Sequence, residues 1–155
     1  MKNTFKIDTT PMDASMFTDT EFDSAAKKAD FGLQFLKFVA SDFAQAGFTN
    51  KFYNRLNGTF GHIAHYNRDG FFQTHFSNTS SKINFLKMTM TYPCYGQPIF
   101  TFCDVEAEIQ KRLLQSGVFR ELNIRLNQEV EMRERAVLAS LTRKYGNNDP
   151  VISTP

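Results

Sequence analysis

The chain's three histidines, His62, His65 and His75, lie within fourteen positions of one another in the segment GHIAHYNRDGFFQTHF. Imidazole transfers protons near neutral pH and is a common ligand of zinc. A cluster of this kind is therefore typical of a metal centre or of a general acid–base pair. It is also compatible with two strands and a turn that carry polar side chains. Which of these applies depends on the secondary structure that positions the histidines.

The tetrapeptide NRDG, residues 67–70, predicts the turn of a β-hairpin within this segment. Asn at its first position and Asp at its third suit a type I turn, and Gly at the fourth can adopt the positive φ of a G1 bulge without steric cost. In the register set by that turn, His65 and His75 are diagonal neighbours on one face of the strand pair, and His62 points to the other face. Because zinc needs three or four ligands, we expect neither a metal nor a cofactor here.

The face that carries His65 and His75 is the predicted working surface, because it is polar and lies in the basic part of the chain. Residues 51–103 contain five Lys or Arg but Asp69 as their sole acid, whereas the net charge of the whole chain is only +2. Such an asymmetry favours an acidic macromolecular partner. The candidate partner-binding residues are His65, Asn67, Arg68, Phe71, Gln73, His75, Lys82 and Lys87.

Four segments of the middle third predict strands, because they are rich in aromatic, β-branched and alternating residues and are separated by turn residues. These segments are TFGHIAHY, FFQTHFS, KINFLKMTMTY and PIFTFC. The simplest arrangement for them is a four-stranded antiparallel β-meander. The predicted fold is therefore α+β, with N-terminal helices before the meander and two C-terminal helices packed on one face of its sheet.

Helical spacing and capping residues place two helices before the meander. The first is predicted to begin at Asp23 or Ser24 and to end at Gly47. A short second helix follows, with Thr49 as its N-cap and Gly58 as its stop.

Two further helices are predicted after the meander. Asp104 caps the first of them, which breaks at Ser116 and Gly117. The rest of the segment to Tyr145 predicts one long helix, because its apolar residues recur at steps of three, four or seven. Those residues are Phe119, Leu122, Leu126, Val130, Val137, Leu141 and Tyr145.

Length and composition predict one folded domain, since 41% of the residues are hydrophobic and 22% are charged. Seventeen phenylalanines and no tryptophan indicate a core filled largely by Phe rings. We divide the chain into a loose N-terminal arm at 1–22, a single α+β domain at 23–146 and a disordered tail at 147–155. The residues expected to hold the arm against the domain are Phe5, Phe17 and Phe22.

Cysteine usage and hydropathy predict a cytoplasmic protein. Cys94 and Cys103 are the only cysteines, and two cysteines do not make a disulfide framework. The first residues resemble no secretory signal, and no apolar run approaches the roughly 18–20 residues that cross a bilayer. We therefore expect no membrane partner.

A search for motifs that carry chemistry leaves a binding function as the leading hypothesis. The sequence has no phosphate-binding glycine loop and no G-x-S-x-G, H-E-x-x-H, C-x-x-C or EF-hand pattern. We expect a small non-enzymatic binding protein, an inhibitor or adaptor that occludes a macromolecular partner through the basic polar hairpin. The Phe- and Asn-rich composition suggests the type of inhibitor that phages or mobile elements direct against a host defence or nucleic-acid enzyme.

Two alternatives stay open at the level of sequence. The same basic block could bind nucleic acid directly, or His65 and His75 could serve a phosphodiesterase or nuclease. The oligomeric state is open as well, because the long C-terminal helix could pair with that of another copy or pack on its own sheet.

Overall fold

The computed structural model of the chain describes residues 3–60, 67–91 and 96–146, and every regular element in those ranges is a helix. The predicted α+β fold with a four-stranded meander is therefore wrong. The helices are α1 (Ala25–Ala40), α2 (Asn50–Phe60), α3 (Arg68–Phe76), α4 (Thr79–Thr91), α5 (Cys103–Ser116) and α6 (Val118–Tyr145), with one-turn 3-10 helices at Ala14–Met16 and Gln45–Gly47.

The segments predicted as strands contribute to helices wherever the structure describes them, apart from the turn that opens the last one. FFQTHFS lies on α3, and KINFLKMTMTY lies on α4 as far as Thr91. The buried residues Ile83, Leu86 and Thr89 of α4 recur every three positions, which is helical spacing. Short apolar runs fit the period of a helix as well as that of a strand. Tertiary packing overrides the local β preference of these residues, so that they form helices. PIFTFC forms a turn that leads into α5, and TFGHIAHY runs from the end of α2 into residues outside the described ranges.

The NRDG tetrapeptide begins a helix and does not close a hairpin. Asn67 is the N-cap of α3, and its side-chain oxygen accepts a hydrogen bond from the amide of Gly70 at 2.7 Å. Asp69 lies in the first turn, where a carboxylate interacts favourably with the helix dipole. An Asn followed by an acid suits the start of a helix as well as a turn, and here the helix forms.

The predicted helix starts are confirmed at α1 and α2. Ser24 caps α1 by accepting from the amide of Lys27 at 3.2 Å, and Thr49 accepts from the amide of Phe52 at 3.2 Å before α2. The predicted ends are wrong, since α2 continues through Gly58 and α1 ends at Ala40.

The early end of α1 follows from the left-handed backbone at Asp42 and Phe43, whose φ angles are 58° and 56°. The Phe43 amide donates to the carbonyl of Phe38 at 2.9 Å, and the two rings meet edge to face at 5.4 Å. Phe43 is thus buried on the face where helical spacing placed it, although the chain has already left the helix.

The two C-terminal helices are confirmed, but the predicted cap of the first is wrong, since Phe102 is the N-cap of α5 and Asp104 lies in its first turn. Gly117 has a φ of 74° and separates α5 from α6, since glycine adopts this left-handed conformation without a side-chain clash. In the body, α1 packs against α2 and α5, α3 against α4, and α4 and α5 against α6.

Phenylalanine rings fill the core, as the composition predicts. Among the described residues thirteen phenylalanines are buried. Phe76 lies at their centre, with its ring centroid 4.8 Å from that of Phe85 and 5.0 Å from that of Phe38. Tilted and edge-to-face ring pairs of this kind stabilise a core beyond the apolar area that they bury.

The N-terminal residues cover one side of the body. Phe5 and Phe17 are buried, whereas Phe22 is 82% exposed. The guanidinium of Arg112 on α5 donates to the carbonyls of Asp8 and Thr10, at 3.3 and 2.7 Å. The predicted tail at 147–155 lies outside the described residues.

Candidate functional site

Of the residues predicted to bind a partner, those that the structure describes do not share one surface. Asn67 is occupied as a helix cap, and Phe71 is 1% exposed with its ring 5.4 Å from that of Tyr53. Arg68 pairs with the adjacent Asp69 at 3.3 Å, and Gln73 is exposed on α3. His65 lies outside the described residues, as does His62.

His75 is a half-buried residue on α3 that packs against aromatic rings. Its ring centroid lies 4.3 Å from that of Phe71 and 5.8 Å from that of Phe85. Burial lowers the pKa of His75 below its ordinary value. The diagonal pairing of His65 with His75 depended on a strand register that α3 replaces. Among the described residues no group of three or more His, Cys, Asp or Glu is placed to hold a metal ion.

The two lysines of the predicted surface lie on α4 and differ in their contacts. Lys82 donates to the carboxylate of Asp42 at 3.0 Å and stands 5.6 Å from the centre of the Phe43 ring. Lys87 is exposed. Lys82 thus stabilises the junction between the end of α1 and α4, and Lys87 remains accessible to a partner.

The distal half of α6 is exposed and is not among the residues predicted to bind a partner. All residues from 131 to 146 are exposed, so the helix extends beyond the body that its first turns help to build. We call residues 131–145 the α6 arm. At 1.5 Å per residue it is about 22 Å long. The apolar spacing was visible in the sequence, but that pattern alone does not say whether the rest of the fold covers it.

One side of the α6 arm carries an apolar stripe. Val137 and Leu141 lie four positions apart on that side, and Leu138 and Tyr145 widen it. Their exposed fractions are 58% for Val137, 64% for Leu138, 49% for Leu141 and 43% for Tyr145. Together with Arg133 and Glu134, the first three of these residues line a very shallow, open groove on the surface of this one helix.

A second groove, of about 660 Å³, lies at the base of the α6 arm. Its walls come from the start of α4 and from the middle of α6, where the Thr79 hydroxyl donates to Glu129 at 2.7 Å. The residues around it are Asn78, Thr79, Ser80, Leu126, Glu129, Met132 and Arg133. Arg133 borders both grooves.

Exposed cations gather between α1 and α2, away from the predicted hairpin. Lys27 and Lys51 line one shallow groove there, and Lys37 and Lys51 line its neighbour. Asp30 lies in both grooves, and Arg55 is paired with Asp23 at 2.8 Å. The three lysines form a modest basic surface with one acid inside it.

Comparison of the chain with protein-family models, with curated proteins and with solved structures finds no match. None of the described helices is both long enough and apolar enough to span a bilayer. The described residues thus define a helical domain with a projecting amphipathic helix.

Proposed function

We propose that the chain is a non-enzymatic protein-binding protein of the inhibitor or adaptor class, and that the α6 arm is its contact element. The observation that carries this proposal is the continuous exposure of residues 131–146 together with the apolar stripe on one side of them. Clustered exposed apolar residues, bordered by charged ones, are typical of interaction sites. An amphipathic helix that inserts its apolar side into a partner is a common mode of protein recognition.

Helix energetics favour a protein partner for the α6 arm. A helical segment of about fifteen residues is marginally stable in water unless tertiary packing supports it. The packed start of α6, where Val118 and Leu122 are buried, supports the helix at one end. The residues of the α6 arm itself are all exposed. A partner that covers Val137, Leu138 and Leu141 would supply the missing packing.

We infer a cytoplasmic location for this interaction. The chain has two cysteines, and the thiol of Cys103 is free. Few cysteines and a free thiol fit a reducing compartment.

Site-specific photo-cross-linking in the native host tests the proposed contact. With p-benzoylphenylalanine in place of Leu141, on the stripe, we expect a covalent adduct with a protein, identified by mass spectrometry. The matched control carries the same photoreactive residue in place of Ala139, which is exposed on the opposite side of the helix. Equal adducts from both positions, or no adduct from position 141, would show that the apolar stripe of the α6 arm is not the contact element.

Direct nucleic-acid binding is a second candidate, favoured by Lys27, Lys37 and Lys51 on the surface between α1 and α2. Each phosphate contact contributes about 0.7–0.9 to the slope of log affinity against log salt. Exchanging all three lysines for Gln should therefore lower that slope by roughly two units. The measurement is fluorescence anisotropy of a labelled oligonucleotide over a salt series. A slope that does not change would exclude this surface.

A further inference from the structure

We propose that the α6 arm pairs with the α6 arm of a second copy in antiparallel orientation, which makes the protein a symmetric dimer. This inference rests on the proposed function, because it identifies the protein that covers the apolar stripe. The side opposite the stripe carries Ala139 and Arg143, together with the exposed Met132.

Two charged residues interrupt the stripe and determine the orientation. Glu134 lies on the apolar side near the start of the arm, and Lys144 lies on that side near its end. Among the described residues neither of them makes an ion pair, and both are exposed. In a parallel pair Glu134 would face its own copy, as would Lys144, and like charges repel. In an antiparallel pair each Glu134 faces Lys144 of the second copy.

The register that joins Glu134 to Lys144 also aligns the two stripe residues that lie four positions apart. It places Val137 opposite Leu141 of the second copy, and by symmetry Leu141 opposite Val137. Leu138, at the edge of the stripe, falls opposite Ser140. One register thus satisfies the central apolar positions and the ionic pair together, as expected of an isologous interface.

The exposed part of α6 accommodates this pairing. The two-fold axis passes between the helices at the level of residue 139, near the middle of the exposed run 131–146, and Ala139 points away from it. Residues 133–145 of the two copies overlap over only about 20 Å, which places the interface at the small end of stable ones. We therefore expect a dissociation constant on the order of micromolar.

Sedimentation equilibrium of the full chain over a concentration series tests the proposal. Wild type should be a dimer at the high end of the series. Glu134→Lys or Lys144→Glu alone should weaken the dimer by about tenfold or more, because each brings like charges together twice across the two-fold axis. The two exchanges combined should restore the affinity to within about threefold of wild type, since the pairing is only reversed.

Two further variants separate the stripe from the rest of the helix. Leu141→Glu should leave a monomer at all concentrations, and Ala139→Glu, the same new side chain on the opposite side, should leave the dimer intact. Circular dichroism at 222 nm checks that each variant keeps its helices. A dimer that Leu141→Glu does not dissociate, or that the double exchange fails to restore, overturns the antiparallel arrangement.

A wild-type chain that stays monomeric overturns the dimer altogether. If the photoreactive residue at position 141 then links the chain to a different protein, the proposed function survives and only its assigned partner is wrong. If that residue links to nothing, both proposals fail.

Discussion

The ammonium group of Lys28 is fully buried and satisfied by three partners on one segment. It donates to the carbonyls of Pro98 and Thr101 at 2.7 and 2.9 Å and to the carboxylate of Asp104 at 3.0 Å. A buried charge is tolerated only when its partners compensate the lost hydration. Lys28 thereby attaches the turn before α5 to α1.

Removing this ammonium should be strongly destabilising. Lys28→Met takes the cation away from the Asp104 carboxylate and the donor away from two carbonyls, so we expect the free energy of unfolding to fall by about 3 kcal/mol. Urea denaturation measures the change. The control is Lys27→Met at the exposed neighbouring position, which should change stability by less than about 0.5 kcal/mol. Equal effects at the two positions would contradict a structural role for Lys28.

His75 should make stability depend on pH, because its surroundings disfavour the charged imidazolium. Burial lowers its pKa below the ordinary value of 6.5, so the unfolded chain binds a proton more readily than the folded one. The free energy of unfolding therefore falls as pH drops through 6.5 and levels off below the folded pKa. His75→Gln should remove this part of the pH dependence when urea curves are compared on either side of 6.5. A variant that loses stability in acid as steeply as wild type would contradict the role of His75.

At the scale of single residues, local chemistry predicted the caps of α1 and α2 but not that of α5 or the histidine environment. Ser24 precedes Ala and Lys residues that favour a helix, and Thr49 is a good N-cap residue. Asp104 suits the first turn of a helix as well as its cap, and it lies in the first turn. Asn67 precedes Asp69 and Gly70, which suit a turn as well as a helix start, and the sequence contains no local signal that separates the two. The half-buried position of His75 depends on Phe85 of the next helix, a contact that local sequence does not specify.

Among the elements, the end of α1 is joined to α4 and α6 by one carboxylate. Asp42 accepts from Lys82 at 3.0 Å and from the guanidinium of Arg125 at 2.9 Å. All three side chains are partly exposed, which limits the energy of each pair. Asp tolerates the left-handed backbone at this position better than most residues.

Asp42→Asn keeps the shape and the backbone preference but removes the charge. We expect a loss of about 1–2 kcal/mol in the free energy of unfolding, because two cations lose a charged acceptor. The control is Asp69→Asn, whose carboxylate interacts with the α3 dipole and with its neighbour Arg68 and is 70% exposed. That change should cost less than about 1 kcal/mol. If the control costs as much as Asp42→Asn, the carboxylate does not join the three elements.

Helices with strong, long patterns could be predicted from the sequence, and short ones could not. The spacing over 118–145 favours a helix over the short strand that Leu122, Ile124 and Leu126 would fit, because it persists for seven turns, and α6 was predicted to its last residue. By contrast, α3 has nine residues and α4 thirteen. In windows this short, Phe71 and Phe72 or the alternating MTMT fit a strand equally well. Contacts with α1 and α6 select the helix, and those contacts are not local.

For the whole molecule, the identity of the core was predictable although its architecture was not. Seventeen phenylalanines indicated a Phe core, which the buried rings confirm. The number of rings says nothing of the elements that carry them, and the misassigned middle third changed the fold class from all-helical to α+β. The residues predicted to form one partner-binding surface are separated for the same reason. The basic block was a property of sequence position, and α3 and α4 distribute its residues among a cap, the core and separate surfaces.

The division of α6 between body and arm gives a last prediction, which compares one substitution at two positions of the same helix. Leu122 is fully buried and Leu141 is 49% exposed. Leu122→Ala should lower the free energy of unfolding by about 2–5 kcal/mol, because it leaves a cavity among packed side chains. Leu141→Ala should change it by less than about 0.5 kcal/mol, since no part of the chain covers this residue. Urea denaturation at a protein concentration below the dimer's dissociation constant isolates the monomer. A large loss at Leu141 under those conditions would mean that the chain itself covers the stripe, and the α6 arm would then be unavailable to any partner.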